Sequence, residues 1–150
     1  MRFAESDGVK ICLSEEQEKQ ISSYKRIKEA LCSKEAFAFD IYDTVCWNTV
    51  QDIAQQERLV GFVMLRRFAA DAFFLWDFAI DSRCQNQHYG TRTLEELLKL
   101  LKEQYHAKVV TTTYRWGNSH AKYLYEKMGF AEIEVVCEND VHEVNMRLEL

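Results

Sequence analysis

The stretch from Trp76 to Phe130 most limits how this chain can fold, because its hydrophobic period switches repeatedly between strand and helix. It reads WDFAID (76–81), a polar loop into RCQNQHYGTRTLEELLKLL (83–101), then KVVTTTY (108–114) and NSHAKYLYEKMGF (118–130). Alternation, then an amphipathic stripe, then both again, predicts a βαβα unit. In such a unit a helix N-terminus lies beside a strand end, where backbone N–H groups and the helix dipole favour a phosphate-bearing ligand.

The helix from Thr91 is well marked. Leu94, Leu97, Leu98, Leu101 and Tyr105 fall on one face, with Glu95 and Glu96 early and Lys99 and Lys102 late, as the macrodipole prefers. Asn118 is placed to cap the next helix, whose Ala121, Leu124, Tyr125 and Met128 share a face, and Gly129 is placed to end it. Before this unit, LVGFVMLRRF (59–68) and FFLWDFAID (73–81) read as two strands of a hairpin turning at Ala70 and Asp71. After it, 131–138 and 142–150 read as a closing hairpin joined at Asn139 and Asp140.

The first third is less periodic. VKICL (9–13) predicts an opening strand, and Ser14 with Glu15, Glu16 and Gln17 predicts a helix start. An apolar stripe through Ile21, Tyr24, Ile27 and Leu31 fits one bent helix or two short ones broken near Ser22 and Ser23. AFAFDIY (36–42) has strand composition, whereas 43–58 fits no template and is read as a loop with a helical turn.

With 150 residues, 47% apolar and 29% charged, the chain has the size and mix of one domain with a full core. A net charge of −5 and no basic run argue against a nucleic-acid partner. Five cysteines without metal or redox spacing predict a reduced, cytoplasmic setting and no metal site. The start, MRFAESDG, has no apolar signal region, and no segment approaches the roughly 18 apolar residues that span a bilayer, so no membrane association is expected.

Gln85-Asn86-Gln87-His88-Tyr89-Gly90-Thr91 joins a strand end to a helix start. Its backbone N–H groups can converge on an anion, and Gly90 leaves room for close approach. The loop is neither a P-loop nor a dinucleotide fingerprint, lacking Gly-Lys-Ser/Thr and having a single glycine. Taken alone it fits an ordinary strand-to-helix connection equally well.

Read together with the second helix, the loop resembles the GNAT superfamily of acetyl-CoA-dependent N-acetyltransferases. That family carries Gln/Arg-x-x-Gly-x-Gly/Ala after a central strand, and later Asn-x-x-Ala-x-x-Leu-Tyr followed by Gly-Phe. Gln85, His88 and Gly90 occupy the first pattern; Asn118, Ala121, Leu124, Tyr125, Gly129 and Phe130 match the second without a gap. His88 departs from the pattern, standing where the first glycine lies, although His tolerates left-handed φ better than most side chains. The phrases FLWDFAID and LVGFVML are similar to a bacterial diamine or spermine/spermidine acetyltransferase-like subgroup.

The resemblance implies an α/β (α+β) GNAT-like fold: a mixed, mostly antiparallel sheet of six to seven strands, helices on both faces, and central strands that splay to admit acetyl-CoA. It implies that the loop from Gln85, Asn86 and Gln87 through His88, Tyr89, Gly90 and Thr91 binds the pyrophosphate. It also implies that the backbone near Phe78, Ala79 and Ile80 binds the pantetheine arm, that Asn118 and Ala121 line the cofactor, and that Tyr125 protonates the leaving thiolate. From the residues themselves, Tyr125 sits on the apolar stripe and fits a core position, while its spacing from Asn118 puts both on one helical face. Asp77, acidic in an apolar strand, either binds or deprotonates the ammonium or simply faces solvent in an ion pair. Glu143 is a second candidate on the substrate side; Trp76 and Trp116 either wall a cleft or pack, and Arg92 either reaches a phosphate or is solvated.

The function this implies is direct N-acetylation of the primary amine of a small, polyamine-like or otherwise cationic substrate, with acetyl-CoA as co-substrate and a homodimer as one assembly. An acyl-CoA-binding sensor of the same fold without turnover, favoured by His88 and disfavoured by Tyr125, stays open beside it. A plain interaction domain would require the match over 118–130 to be accidental.

Overall fold

The computed structural model describes residues 1–48 and 53–150, and side chains outside 45–55. In chain order the elements are β1 (Arg2–Ser6), α1 (Glu15–Gln20), α2 (Tyr24–Cys32), β2 (Phe37–Asn48), β3 (Ile53–Ala69), β4 (Ala72–Ile80), α3 (Tyr89–Gln104), β5 (Val109–Arg115), α4 (Ser119–Lys127), β6 (Ala131–Glu138) and β7 (Val141–Glu149). The seven strands form one sheet ordered β1-β2-β3-β4-β5-β7-β6. Every neighbouring pair is antiparallel except β4 and β5, which the α3 crossover makes parallel.

Helices cover both faces. Leu94, Leu97, Leu98 and Leu101 of α3 and Tyr125 of α4 pack with Phe73, Leu75, Val110 and Met146 in one core. Ile27 and Ala30 of α2 pack with Ala38, Phe62, Met64 and Ala79 in the other. Among the described residues no helix is long and apolar enough to cross a membrane.

Two sequence expectations are corrected. The first strand is Arg2–Ser6, paired with 38–42 of β2, and 9–13 is not a strand. Its apolar residues arise from packing instead: Ile11 is buried in the α2 core, while Cys12 takes its backbone bonds from Asp81 and Ser82. Likewise 43–58 is no loop with a helical turn, because β2 and β3 run on antiparallel from Asp43↔Arg58 to Asn48↔Ile53. The exposed Thr44, Glu57 and Arg58 lie on this ribbon, so ladder bonding rather than an apolar face forms it there. Residues 49–52, part of the same expectation, lie outside the described residues.

The break near Ser22 and Ser23 yields two helices. Ser14 closes a capping box with Gln17 on α1, and Ser23 caps α2 through the Arg26 N–H. Asn118 caps α4 through the Ala121 N–H, and Gly129 leaves that helix at φ +96°, a left-handed conformation that favours glycine.

Candidate active site

Strands β4 and β5 pair only from Ala72↔Val109 to Leu75↔Thr112, although β4 continues to Ile80 and β5 to Arg115. The two central strands therefore open into a fork. Its apex is closed by the Thr112 hydroxyl, which donates to the Leu75 carbonyl at 3.2 Å. A bulge at Trp76 helps to shape it: register with β3 passes from Leu65↔Leu75 to Met64↔Asp77, leaving Trp76 without a counterpart. Leu75 faces the α3–α4 core, whereas Asp77 comes to lie beside the α1–α2 turn.

Beyond the bulge, β4 presents free backbone to the fork. The Asp81 N–H bonds to Val60 of β3 at 2.8 Å. Antiparallel alternation then turns the peptide groups of Phe78 and Ile80 the other way, toward the diverging β5. One of them is already engaged, since Gln17 of α1 donates its Nε2 to the Ile80 carbonyl at 2.7 Å. The capping box fixes that amide's orientation, because Gln17 Oε1 accepts the Ser14 N–H. On the other side of the fork Asn118 Nδ2 donates to Gln20 of the same helix. Helix α1, which buries none of its own residues, thus straps one strand end to the start of α4.

Tyr125 reaches the apex from the α4 side. It is buried and packs against Phe130 with ring centroids 5.5 Å apart. Burial pushes its hydroxyl above the ordinary tyrosine range, the polar Thr112 side chain opposes this, and the Asp77 charge adds to the rise. Asp77 lies on the opposite side of the sheet. Its Oδ1 accepts the Ser22 N–H at 2.9 Å, and its buried Oδ2 has no hydrogen-bond partner. Desolvation raises this carboxyl, with the Ser22 N–H bond pulling it partly back.

At the mouth, the connection from β4 to α3 begins with Asp81, fully buried and bonded to the Arg83 guanidinium and to the N–H groups of Arg83 and Cys12. These bonds, the Arg83 side chain foremost, hold the Asp81 carboxyl well below the usual carboxylate range. Asn86 and His88 adopt left-handed φ of 59° and 61°. His88 is the N-cap of α3 and makes no side-chain cap bond, and the first intrahelical bond there runs from the Arg92 N–H to the His88 carbonyl. The N–H groups of Tyr89, Gly90 and Thr91 precede that bond, so the helix offers them to an anion.

Gly90 itself is not left-handed. A Cβ there would lie 3.7 Å from Leu124 and 4.0 Å from Ile80, ordinary contact distances. The protein leaves room for a side chain at 90, so the glycine answers no need of the fold itself.

The remaining sequence candidates divide clearly. Asn118 spends its oxygen on the α4 cap and its amide on Gln20, and Ala121 packs partly buried against the α3–α4 core. Arg92 pairs with Asp43 at 3.2 Å and lies over the Tyr89 ring. Glu143 sits opposite Arg115 in the β5–β7 register, away from Thr112, whose partner there is Met146. Trp76 packs against the α2 core under the Arg26 guanidinium, whereas Trp116 is 65% exposed and borders an open depression of about 340 Å³ with Lys19, Gln20 and Asn118. Cys84 is a buried thiol that desolvation makes harder to ionise.

Sequence reasoning missed Thr112, Gln17, Ser22 and Asp81. Strand parity could have singled out Thr112, which shares a face with Val110 and Tyr114, and the Asp81-x-Arg83 spacing could have singled out Asp81; Gln17 and Ser22 act through long-range contacts that leave no local signal.

The profile of the acetyltransferase (GNAT) family matches residues 13–130. Among solved structures, a GNAT family acetyltransferase from Elizabethkingia anophelis with acetyl-CoA bound superposes with a TM-score of 0.66 at 14% identity, covering 99% of this chain and 98% of that one. A Bacillus subtilis acetyltransferase in complex with CoA gives 0.66 at 15% identity, covering 99% of each chain. A variant of the spermidine N-acetyltransferase of Vibrio cholerae gives 0.65 at 16% identity, covering 85% of this chain and 75% of that one. No curated protein sequence matches the chain significantly. The family profile spans most of the chain and the fold is shared across its full length, so the protein belongs to the acetyltransferase (GNAT) family, whose members are acetyl-CoA-dependent N-acetyltransferases.

Proposed function

We propose that this protein transfers the acetyl group of acetyl-CoA directly to the primary amine of a small cationic acceptor, in the fork between β4 and β5. The observation that carries the reading is the end of β4–β5 pairing at Leu75↔Thr112, with Tyr125 of α4 buried in the core that contains Leu75. The groups present fit the cofactor. The uncapped N–H groups of Tyr89, Gly90 and Thr91, with the loop from Gln85 through Asn86 and Gln87 to His88, suit the pyrophosphate. The β4 backbone at Phe78 and Ile80, on either side of Ala79, suits the amides of the pantetheine arm, Ala121 lies on the adjoining face of α4, and Asn118 sits at the end of the strap.

Acetyl transfer needs a neutral amine, a stabilised oxyanion and a donor for the departing sulfur. Tyr125 is the donor in this reading. Its raised pKa keeps it protonated at neutral pH, and its burial strengthens the hydrogen bond that it offers. Asp77 is assigned to the amine, because the free Oδ2 can accept a hydrogen bond from an ammonium and the raised carboxyl can take up its proton. The net charge of −5 and the resemblance to spermidine acetyltransferases favour polyamine-like acceptors.

The test is acetyl-CoA-dependent thiol release across polyamines, amino acids, aminoglycosides and peptide N-termini. Turnover strongest with polyamines supports the acceptor class, and turnover confined to another class replaces it. Binding of acetyl-CoA without turnover on any amine turns the reading into the sensory one.

A further inference from the structure

Helix α1 has six residues and buries none of them, so no side chain of its own anchors it in a core. Polar bonds tie it instead to the two prongs of the fork: Gln17 Nε2 donates to the Ile80 carbonyl of β4 at 2.7 Å, and Gln20 accepts from Asn118 Nδ2 at the start of α4. The peptide joining Ile80 to Asp81 is planar and trans, and its N–H bonds to Val60 of β3, so its carbonyl faces the fork. Gln17 therefore places an amide donor inside the fork, on the stretch of β4 backbone that suits the pantetheine arm. An amide N–H of that arm approaching the same carbonyl meets the Gln17 amide already there.

We propose that Gln17 is a gate on the cofactor site: in the free protein its amide stands in for the pantetheine arm on the Ile80 carbonyl, and acetyl-CoA displaces it on seating. The inference rests on the assignment of the β4 backbone to that arm. No covalent bond changes in this step; one neutral amide donor replaces another on the same acceptor.

A strand carbonyl shut away from water without a donor is costly, and Gln17 meets that need while the fork holds no ligand. Because donor and replacement are of one kind, the exchange is close to balanced, and the gate weakens binding by a modest factor instead of blocking the site. The amide is held for this purpose. Its Oε1 accepts the Ser14 N–H at 2.9 Å in the capping box, which leaves the NH2 group pointed at Ile80. When Gln17 lets go, the Asn118 bond keeps the other end of α1 attached at Gln20. Just beyond α1 the Ser22 N–H holds Asp77, so one short segment joins the gate to the carboxyl assigned to the amine.

The experiment uses the full chain with Gln17→Glu, which keeps an acceptor for the Ser14 N–H but cannot donate to Ile80, and Gln17→Met, which keeps the length and loses both bonds. Each is titrated calorimetrically with acetyl-CoA and, separately, with the adenosine bisphosphate portion of the cofactor, which lacks the pantetheine arm. Both variants should bind acetyl-CoA about twofold to tenfold more tightly than the parent, the range of one neutral hydrogen bond, and the adenosine bisphosphate within about twofold of it. Unchanged acetyl-CoA binding would overturn the gate, and weaker binding would make Gln17 a ligand contact instead. An equal gain for the adenosine bisphosphate, or a gain confined to Gln17→Met, would also overturn it, because the effect would then lie outside the arm or in the capping box. A parent protein that does not bind acetyl-CoA would instead sink the cofactor assignment on which the inference rests.

Discussion

The Asp77 carboxylate accepts the Ser22 N–H at 2.9 Å through one oxygen and leaves the other buried without a partner. A fold left to optimise stability would not keep such a group, since an unsatisfied buried polar atom costs about 1–3 kcal/mol. The sign of its pH dependence follows from the raised folded pKa. The native state holds the proton more tightly than the unfolded chain, so stability is greatest at low pH for this group and falls as pH rises from the unfolded carboxyl value through the raised one.

Asp77→Asn keeps the Ser22 bond and removes the buried charge. It is predicted to raise the neutral-pH melting temperature, on the order of 1 kcal/mol in stability, while lowering kcat/KM for the amine at least tenfold. Thermal melts at pH 5 and pH 7.5 beside steady-state kinetics check both. A variant that is less stable and fully active would contradict the role.

The loop before α3 makes an opposite pair of predictions. Gly90→Ala meets only ordinary contacts at 3.7 and 4.0 Å, so the fold should be unharmed and α3 slightly stabilised, by about 0.5–1 kcal/mol. Acetyl-CoA affinity should nevertheless fall about tenfold, because the methyl stands where the pyrophosphate approaches. His88→Gly relieves a left-handed φ of 61° and should tighten acetyl-CoA severalfold. Calorimetric titration with denaturation curves for both variants separates ligand contact from fold.

Asp81 carries the reverse pH dependence of Asp77. Its folded pKa is depressed by Arg83 and the N–H groups of Arg83 and Cys12, so its stabilisation is full above the unfolded carboxyl value and is lost as pH falls below it. Asp81→Asn should therefore melt several degrees lower than the parent at pH 7, and the difference should shrink steadily below pH 4. A constant difference across that range would show that the charge is not what matters there.

The βαβα segment was legible in the sequence because each of its elements answers to a local rule. The stripe from Leu94 to Leu101, the Asn118 cap and Gly129 at φ +96° all appear as read. The segments 9–13 and 43–58 were misread for a shared reason: their structure is set by partners distant in sequence. The same holds within the site. Tyr125 lies in a helical motif and could be named, whereas the fork depends on where β5 stops pairing, and Asp77 owes its orientation to a bulge at Trp76. Thr112 is one of three consecutive threonines, and only strand parity distinguishes it.

The most direct measurement is single-turnover acetyl transfer by Tyr125→Phe beside the parent, with acetyl-CoA binding measured on the same samples. The hydroxyl is the only group removed, and the Phe130 ring packing is retained. The account predicts acetyl-CoA binding within about threefold of the parent and a rate lower by about a hundredfold or more, the range of general acid catalysis. An undiminished rate would place the proton donor elsewhere and leave Tyr125 as a core residue.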